Sequence, residues 1–182
     1  NWSFEHGFVR NKELQWYQPD NARCENGLLV IEGRRERKPN PNYDPNSDSW
    51  RRNRPDIDYT SACLKTKGLH RWTYGRFEMR GRIDTRPGLW PAFWTLGSAR
   101  SWPGCGEIHK MSPKSPTPAQ TARWAANKRW VSVWDDLKKP ITEFDDPKWS
   151  SKFHLWRMDW DKDCIKLYVD DEPLSFTRQI TL

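Results

Sequence analysis

Three residues near the middle of the chain have the types and the spacing of a polar site. Glu107 and His109 are two positions apart, so in a β-strand they share one face while Ile108 points to the other. Ser112 follows five positions after Glu107, and a regular strand would place it on the opposite face. One bulge residue between 109 and 112 restores the phase, because a β-bulge adds one residue to one strand of a pair. A bulged strand would therefore present Glu107, His109 and Ser112 to one cleft.

Three tryptophans come shortly before this segment in the sequence. Trp90, Trp94 and Trp102 supply flat apolar faces, which can stack on the CH-rich faces of sugar rings. Each of the three could instead be a core residue. We expect the chemistry of the segment to be that of a polar-ligand cleft with aromatic walls.

Strands are the elements that must position these residues. Polar and apolar residues alternate with period 2 in Arg76–Asp84, and similar runs occupy 28–32, 59–65, 153–160 and 165–169. Helical periodicity is nearly absent, and 14 prolines oppose long helices. Many short strands at this spacing indicate an all-β protein with an antiparallel sandwich, barrel or jelly roll. Segments 34–56 and 134–149 are predicted to be long loops at the rim of the cleft.

Composition limits the class of protein. A chain of 182 residues has the length of one domain, and its 13 Trp, 7 Phe and 5 Tyr exclude disorder and indicate an aromatic core. There is no apolar run long enough for a transmembrane helix, so no membrane association is expected. The four cysteines are scattered singly, without zinc-ligand spacing, and are consistent with two disulfides, with none, or with small buried residues. No metal site is expected.

The net charge of +7 raises nucleic-acid binding as a second class of function. The basic runs are interrupted by acidic residues, and no sequence signature of a nucleic-acid-binding fold is present. A solvated face of mixed charge is the better interpretation, so no nucleic-acid partner is expected. A module that binds polysaccharide without cutting it is a third class.

Several segments together carry a family resemblance. They are Glu25-Asn26-Gly27-Leu28-Leu29-Val30-Ile31, Tyr74-Gly75-Arg76-Phe77-Glu78, Gly88-Leu89-Trp90-Pro91-Ala92-Phe93-Trp94, Trp102-Pro103-Gly104-Cys105-Gly106-Glu107-Ile108-His109-Lys110-Met111-Ser112, and Phe153-His154 through Trp160 to Asp171. In these segments the chain resembles glycoside hydrolase family 16 and, within it, the laminarinase-like endo-β-1,3-glucanases. The signature of that family is E-I-D-x-M-E after a W-P-x-x-G lead.

The resemblance implies a fold and a setting. The expected fold is an antiparallel β-jelly-roll sandwich of two stacked sheets with a concave carbohydrate cleft, in a single domain over 1–182 that lacks the family's opening strand and last strands. The implied protein is a secreted monomer that takes a β-glucan polysaccharide or oligosaccharide and needs no cofactor. The family often carries a structural calcium, which is not expected here because terminal strands contribute to that site.

The resemblance also implies roles for individual residues. Glu107 falls on the nucleophile, His109 falls where the family has Asp, and Ser112 falls where it has the acid/base Glu. Asn21 resembles a position that contacts sugar. Retaining hydrolysis needs two carboxyl groups about 5–5.5 Å apart, and loss of the general acid costs about 10²–10⁴-fold in rate. The expected activity is weak endo-hydrolysis of β-1,3-glucan, and the alternative is a glucan binder.

The departures at His109 and Ser112 leave three explanations open. The chain is a natural relative that binds without cutting, an inactivated variant of an enzyme, or a sequence that differs from the native one in this segment. The same resemblance leaves the choice among β-1,3-glucan, mixed-linkage glucan and a sulfated galactan undecided.

Overall fold

The structure, a computed structural model, describes residues 1–101, 105–111, 119–125, 132–138 and 141–178. Within these ranges the regular elements are β-strands and short 3₁₀ helices, with no α-helix. No helix in the described part of the chain is long and apolar enough to span a membrane. The chain forms two compact units, Asn1–Arg71 and Trp72–Leu182. The single domain over 1–182 stays a prediction.

The first unit contains three small sheets and one 3₁₀ helix. Its strands are β1 (Ser3–Phe4), β2 (Gln15–Tyr17), β3 (Ala22–Glu25), β4 (Leu28–Ile31), β5 (Arg34–Pro39), β6 (Asp56–Ser61) and β7 (Leu64–Lys65), and the 3₁₀ helix is Pro19–Asn21. β1 pairs with β7, β3 pairs with β4, and the third sheet has the order β2-β6-β5. The β2–β6 pair is parallel and the other pairs are antiparallel.

The described residues of the second unit form two four-stranded antiparallel sheets. Its strands are β8 (Gly75–Gly81), β9 (Phe93–Leu96), β10 (Glu107–Met111), β11 (Ala119–Ala125), β12 (Ser132–Lys138), β13 (His154–Trp160), β14 (Cys164–Val169) and β15 (Glu172–Arg178), with 3₁₀ helices at Ile141–Phe144 and Trp149–Ser151. We name the sheet of order β12-β11-β10-β9 the Glu107 sheet, and the sheet of order β15-β14-β13-β8 the His154 sheet.

The two sheets of the second unit share a core. Ile108 of β10 packs with the buried residues Met158, Ile165 and Leu167 of the His154 sheet. A second cluster is built around the completely buried indole of Trp156. Because each sheet contributes apolar side chains to one interior, these strands form a sandwich. The predicted all-β, antiparallel class is confirmed.

The strand predictions hold at 28–32, 76–84, 153–160 and 165–169, within one or a few residues at the ends. The predicted strand over 59–65 is interrupted, because β6 ends at Ser61 and β7 begins at Leu64.

Two predicted loops were partly wrong. In 34–56 the first six residues form β5, and in 134–149 the first five belong to β12. β5 is strongly charged, so it lacks apolar alternation, but its side chains alternate between half-buried and exposed. Half-buried Lys38 and Glu36 pair at 2.9 Å, and the stems of such residues cover apolar surface while their charges stay paired. Strand pairing with β6 and β11, which sequence patterns do not reveal, explains both errors.

Candidate active site

The β9–β10 pair positions the central residues of the candidate site. Glu107 lies opposite Leu96, Ile108 opposite Thr95, and His109 opposite Trp94. The register then shifts between His109 and Met111, since Met111 lies opposite Phe93. A bulge is therefore present between 109 and 112, as the sequence predicts.

Strand alternation separates Glu107 from the core. Ile108 is 9% exposed and packs in the interior between the two sheets. Its neighbour Glu107 lies on the opposite face of the Glu107 sheet. Glu107 is itself only 9% exposed, so this carboxyl sits in a sheltered position rather than on an open strand surface. On the other neighbouring strand its register partner is Arg123.

Trp94 shares this face of the hairpin. It lies opposite His109 and is half-buried, and directly opposed residues of an antiparallel pair have Cβ atoms about 4.5–5.5 Å apart. The structure thus brings Glu107, His109 and Trp94 together on two adjacent strands. Trp90 precedes β9, in the segment after the turn at Gly88, and is 43% exposed. Trp102 and Ser112 lie outside the described residues.

The end of the hairpin closes tightly behind Glu107. The backbone N–H of Gly97 donates to the carbonyl oxygen of Gly106 at 3.1 Å. A Cβ atom at Gly97 would overlap the carbonyl of Cys105. Position 97 therefore needs glycine because of close backbone approach, and this closure sets where β10 begins.

Asn21 occupies a buried position in the first unit. It is completely buried, and its side-chain amide donates to the backbone oxygen of Glu32 at 2.9 Å and to Thr60 Oγ1 at 3.0 Å. Asn21 Oδ1 has no hydrogen-bond partner among the described residues. These contacts tie the start of β3 to β6. A sugar contact for Asn21 stays a prediction.

The described hairpin has one carboxyl group and no second one. Glu107 is the single Asp or Glu in β9 and β10. A carboxylate of this kind can attack an electrophilic carbon or stabilise a developing positive charge. A leaving oxygen also needs a proton, and neither β9 nor β10 offers a carboxylic acid for that step. Motif reasoning missed Arg123, because only the strand register places it opposite Glu107.

The cysteines take no part in the site as described. All four are free, with Cys24 exposed, Cys63 and Cys105 partly buried and Cys164 buried. Burial raises the pKa of the Cys63 thiol to about 11, and the nearby Glu5 carboxylate acts in the same direction. The structure therefore contains neither of the two possible disulfides, and Cys24 is not the small buried residue considered above.

The family sequence model of "Glycosyl hydrolases family 16" matches residues 16–181. The chain belongs to this family. The β-glucanase of Rhodothermus marinus is 32% identical over 93% of this chain and 57% of the relative. The glucan endo-1,3-β-glucosidase of Cryptopygus antarcticus is 34% identical over 94% of this chain and 61% of the relative. The chain thus spans about three-fifths of the length of these family 16 relatives.

Solved structures agree on the fold of this family 16 chain. The laminarinase catalytic domain of Thermotoga maritima MSB8 has 32% identity and a TM-score of 0.76, covering 97% of this chain and 70% of that one. A chain solved in work on endo-acting O-glycanases of the human gut microbiota that initiate mucin breakdown has 32% identity and a TM-score of 0.85, covering 97% and 65%. The jelly-roll fold class is confirmed.

One relative carries a name that describes binding. The β-1,3-glucan-binding protein of Penaeus monodon is 31% identical over 62% of this chain and 33% of the relative. The chain is therefore similar to proteins named as hydrolases and to a protein named as a binder.

Proposed function

We propose that this protein is an endo-acting, retaining β-1,3-glucan hydrolase in which Glu107 is the nucleophile and turnover is slow. The observation that supports the proposal is the placement of Glu107, which is sheltered on the β9–β10 hairpin, away from the core and on the same face as Trp94. A carboxylate shielded from bulk water next to a flat apolar ring suits a sugar ring whose anomeric carbon it attacks.

The proposed reaction has two steps. Glu107 attacks the anomeric carbon and forms a glycosyl ester while the bond to the leaving oxygen breaks, and water then hydrolyses the ester. The leaving oxygen must gain a proton in the first step. Ser112 is a hydroxyl without a carboxyl's acidity, and His109 occupies a position between the two catalytic roles. Without the general acid we expect a rate about 10²–10⁴-fold below that of an intact site.

The substrate and the setting belong to the same proposal. Relatives named as a β-glucanase and as a glucan endo-1,3-β-glucosidase support β-1,3-glucan as the polymer. Trp90, Trp94 and Trp102 are the residues that we assign to sugar binding. We place the protein outside the cell as a monomer, where a soluble glucan polymer is accessible to it.

The decisive experiment measures hydrolysis and binding on one sample. Release of reducing ends from laminarin is followed for the wild type and for Glu107→Gln, and an intact mass confirms the residues at 109 and 112. We expect slow release by the wild type and none by Glu107→Gln, because the amide is a far weaker nucleophile than the carboxylate. Equal release by both proteins would contradict the assignment of Glu107.

A glucan-binding protein without hydrolysis is the second candidate. Ser112 and His109 favour it directly, and the relative named as a β-1,3-glucan-binding protein adds support. Calorimetric titration with laminari-oligosaccharides separates the two. Binding by the wild type, with release of reducing ends no greater than for Glu107→Gln, would establish the binder and exclude the hydrolase.

A further inference from the structure

The outward face of β8 carries a row of charged residues that is paired at one end only. The even-numbered residues from Arg76 to Arg82 are exposed, while Phe77 and Met79 pack against the two core clusters. At the first end, Arg76 Nε donates to Asp159 Oδ1 of β13 at 2.8 Å. β8 lies at an edge of the described His154 sheet, so this face is open along one side.

The other end has two cations close to one aromatic ring. The guanidinium carbons of Arg80 and Arg82 lie 4.5 Å and 5.6 Å from the centroid of the Phe153 ring. Neither arginine makes a hydrogen bond or an ion pair with any residue in the described ranges. A guanidinium held over a ring keeps N–H groups available at its edge. Two such groups on one ring create a local excess of positive charge.

Most of the neighbouring acidic residues have partners of their own. Glu78, next along the row, lies 3.9 Å from Arg76. Asp146 accepts from Lys152 Nζ at 2.7 Å, and Asp170 contacts His154. Asp84 pairs with Arg86, and Glu172 is an exposed residue that lines the same pocket as Phe153. Among the described residues no carboxylate forms an ion pair with Arg80 or Arg82, so their N–H groups are accessible to an external anion.

We propose that Arg80, Arg82 and Phe153 form a surface site for an oxyanion carried by a polysaccharide, either a sulfate ester or a uronate carboxylate. The guanidinium fork matches both groups through two parallel hydrogen bonds, and the Phe153 ring holds the two guanidinium groups near each other. Residues two apart on a strand are about 6.6 Å apart, which suits neighbouring oxyanions on one chain.

This site is separate from the candidate active site. The charged row lies on the outer face of the His154 sheet, and Glu107 lies on the outer face of the Glu107 sheet, with the Ile108 core between them. The Arg80–Arg82 site therefore holds an anionic glycan without cleaving it, and it does not depend on the proposed hydrolysis.

The test measures binding of dextran sulfate, polygalacturonate and neutral dextran by affinity electrophoresis at low ionic strength. We expect the wild type to bind at least one of the two polyanions and to ignore neutral dextran. Arg80→Ala/Arg82→Ala should bind that polyanion about tenfold more weakly, because charge-assisted hydrogen bonds are lost. The matched control is Lys67→Ala/Arg71→Ala, which removes two exposed cations that have no ion pair within the described residues.

A third variant isolates the ring from the charge. Phe153→Leu keeps the net charge but removes the π face, so binding of the polyanion should fall several-fold while thermal melting reports on the fold. Equal losses in the two double variants would overturn the site in favour of unspecific attraction by net charge. Failure to bind either polyanion would overturn it as well, and so would equally tight, Arg80/Arg82-dependent binding of polyglutamate. Laminarin hydrolysis should be unchanged in Arg80→Ala/Arg82→Ala.

Discussion

At the scale of single residues, a buried histidine connects several elements of the second unit. His154 Nδ1 lies 2.5 Å from Asp170 Oδ2, and Nε2 lies 2.7 Å from the backbone oxygen of Trp149. Each ring nitrogen of His154 therefore has an oxygen atom within hydrogen-bond distance. The ring also stacks on the indole of Trp149 at 4.0 Å. One side chain thus joins β13 to the 3₁₀ helix before it and to the turn after β14.

Replacement of this histidine tests that description. His154→Asn cannot reach both acceptors or stack on Trp149, so the free energy of unfolding should fall by about 2–3 kcal/mol in urea titrations. The control is His70→Asn, because His70 is exposed and its Nε2 lies 3.1 Å from Asn1 Oδ1 near the start of the chain. Similar losses in the two variants would contradict a special role for His154.

Residue types were easier to predict than residue contacts. The alternation through Glu107, Ile108 and His109 correctly predicts a strand, with Ile108 in the core and a bulge before position 112. The burial of Asn21 was not predictable, because it depends on hydrogen bonds to Glu32 and Thr60, which are distant in sequence. No local pattern encodes such contacts.

At the scale of elements, the β9–β10 hairpin depends on glycine. Gly97→Ala would force its Cβ against the Cys105 carbonyl, which belongs to the backbone and cannot move alone. We expect a loss of about 1–3 kcal/mol in the free energy of unfolding, as for other overpacked sites. We also expect weaker glucan binding, because β10 carries Glu107.

A second glycine provides the control for the hairpin. A Cβ at Gly33 meets no atom within 4 Å, and its backbone does not need glycine. Gly33→Ala should therefore change the free energy of unfolding by no more than about 0.5–1 kcal/mol. Equal destabilisation by the two substitutions, measured in urea, would contradict the close approach at Gly97.

The contribution of Asp146, in the segment before β13, to the stability of the fold should depend on pH. A hydrogen bond from Lys152 and the backbone N–H of Lys148 hold the pKa of the Asp146 carboxyl below its ordinary value. A lowered pKa in the folded state means that Asp146 stabilises the fold above the unfolded-state pKa and loses this effect as the pH falls through the folded-state pKa. Asp146→Asn should therefore be less stable than the wild type at neutral pH. This difference in stability should become smaller below about pH 4, where the wild-type carboxylate becomes protonated.

Melting temperatures across acidic pH check this expectation. The control is Asp163→Asn, since Asp163 is exposed and pairs only with the adjacent Lys162 among the contacts described. If the melting temperatures of Asp146→Asn and the wild type differ by the same amount at every pH, the ionised Asp146 carboxylate does not stabilise the fold.

At the scale of the whole molecule, aromatic residues and charged residues have different places in the fold. Aromatic side chains supply much of the interior of the second unit, in which Trp149 and Trp156 are almost completely buried. The composition predicts this use of tryptophan well. In β5 five consecutive charged residues replace the alternation of polar and apolar residues, whereas β8 keeps that alternation. Sequence patterns therefore predict the all-β class better than they predict which charged segments are strands.

We propose that this family 16 chain retains the nucleophile and lacks the general acid. The measurement that tests it most directly is the rate of reducing-end release from laminarin by His109→Asp/Ser112→Glu, relative to wild type. We expect a gain of about 10²–10⁴-fold, because a carboxylic acid is restored beside Glu107. Adding Glu107→Gln should abolish that gain. If the folded double variant gains nothing, position 112 does not share a cleft with Glu107, and the assigned mechanism is wrong.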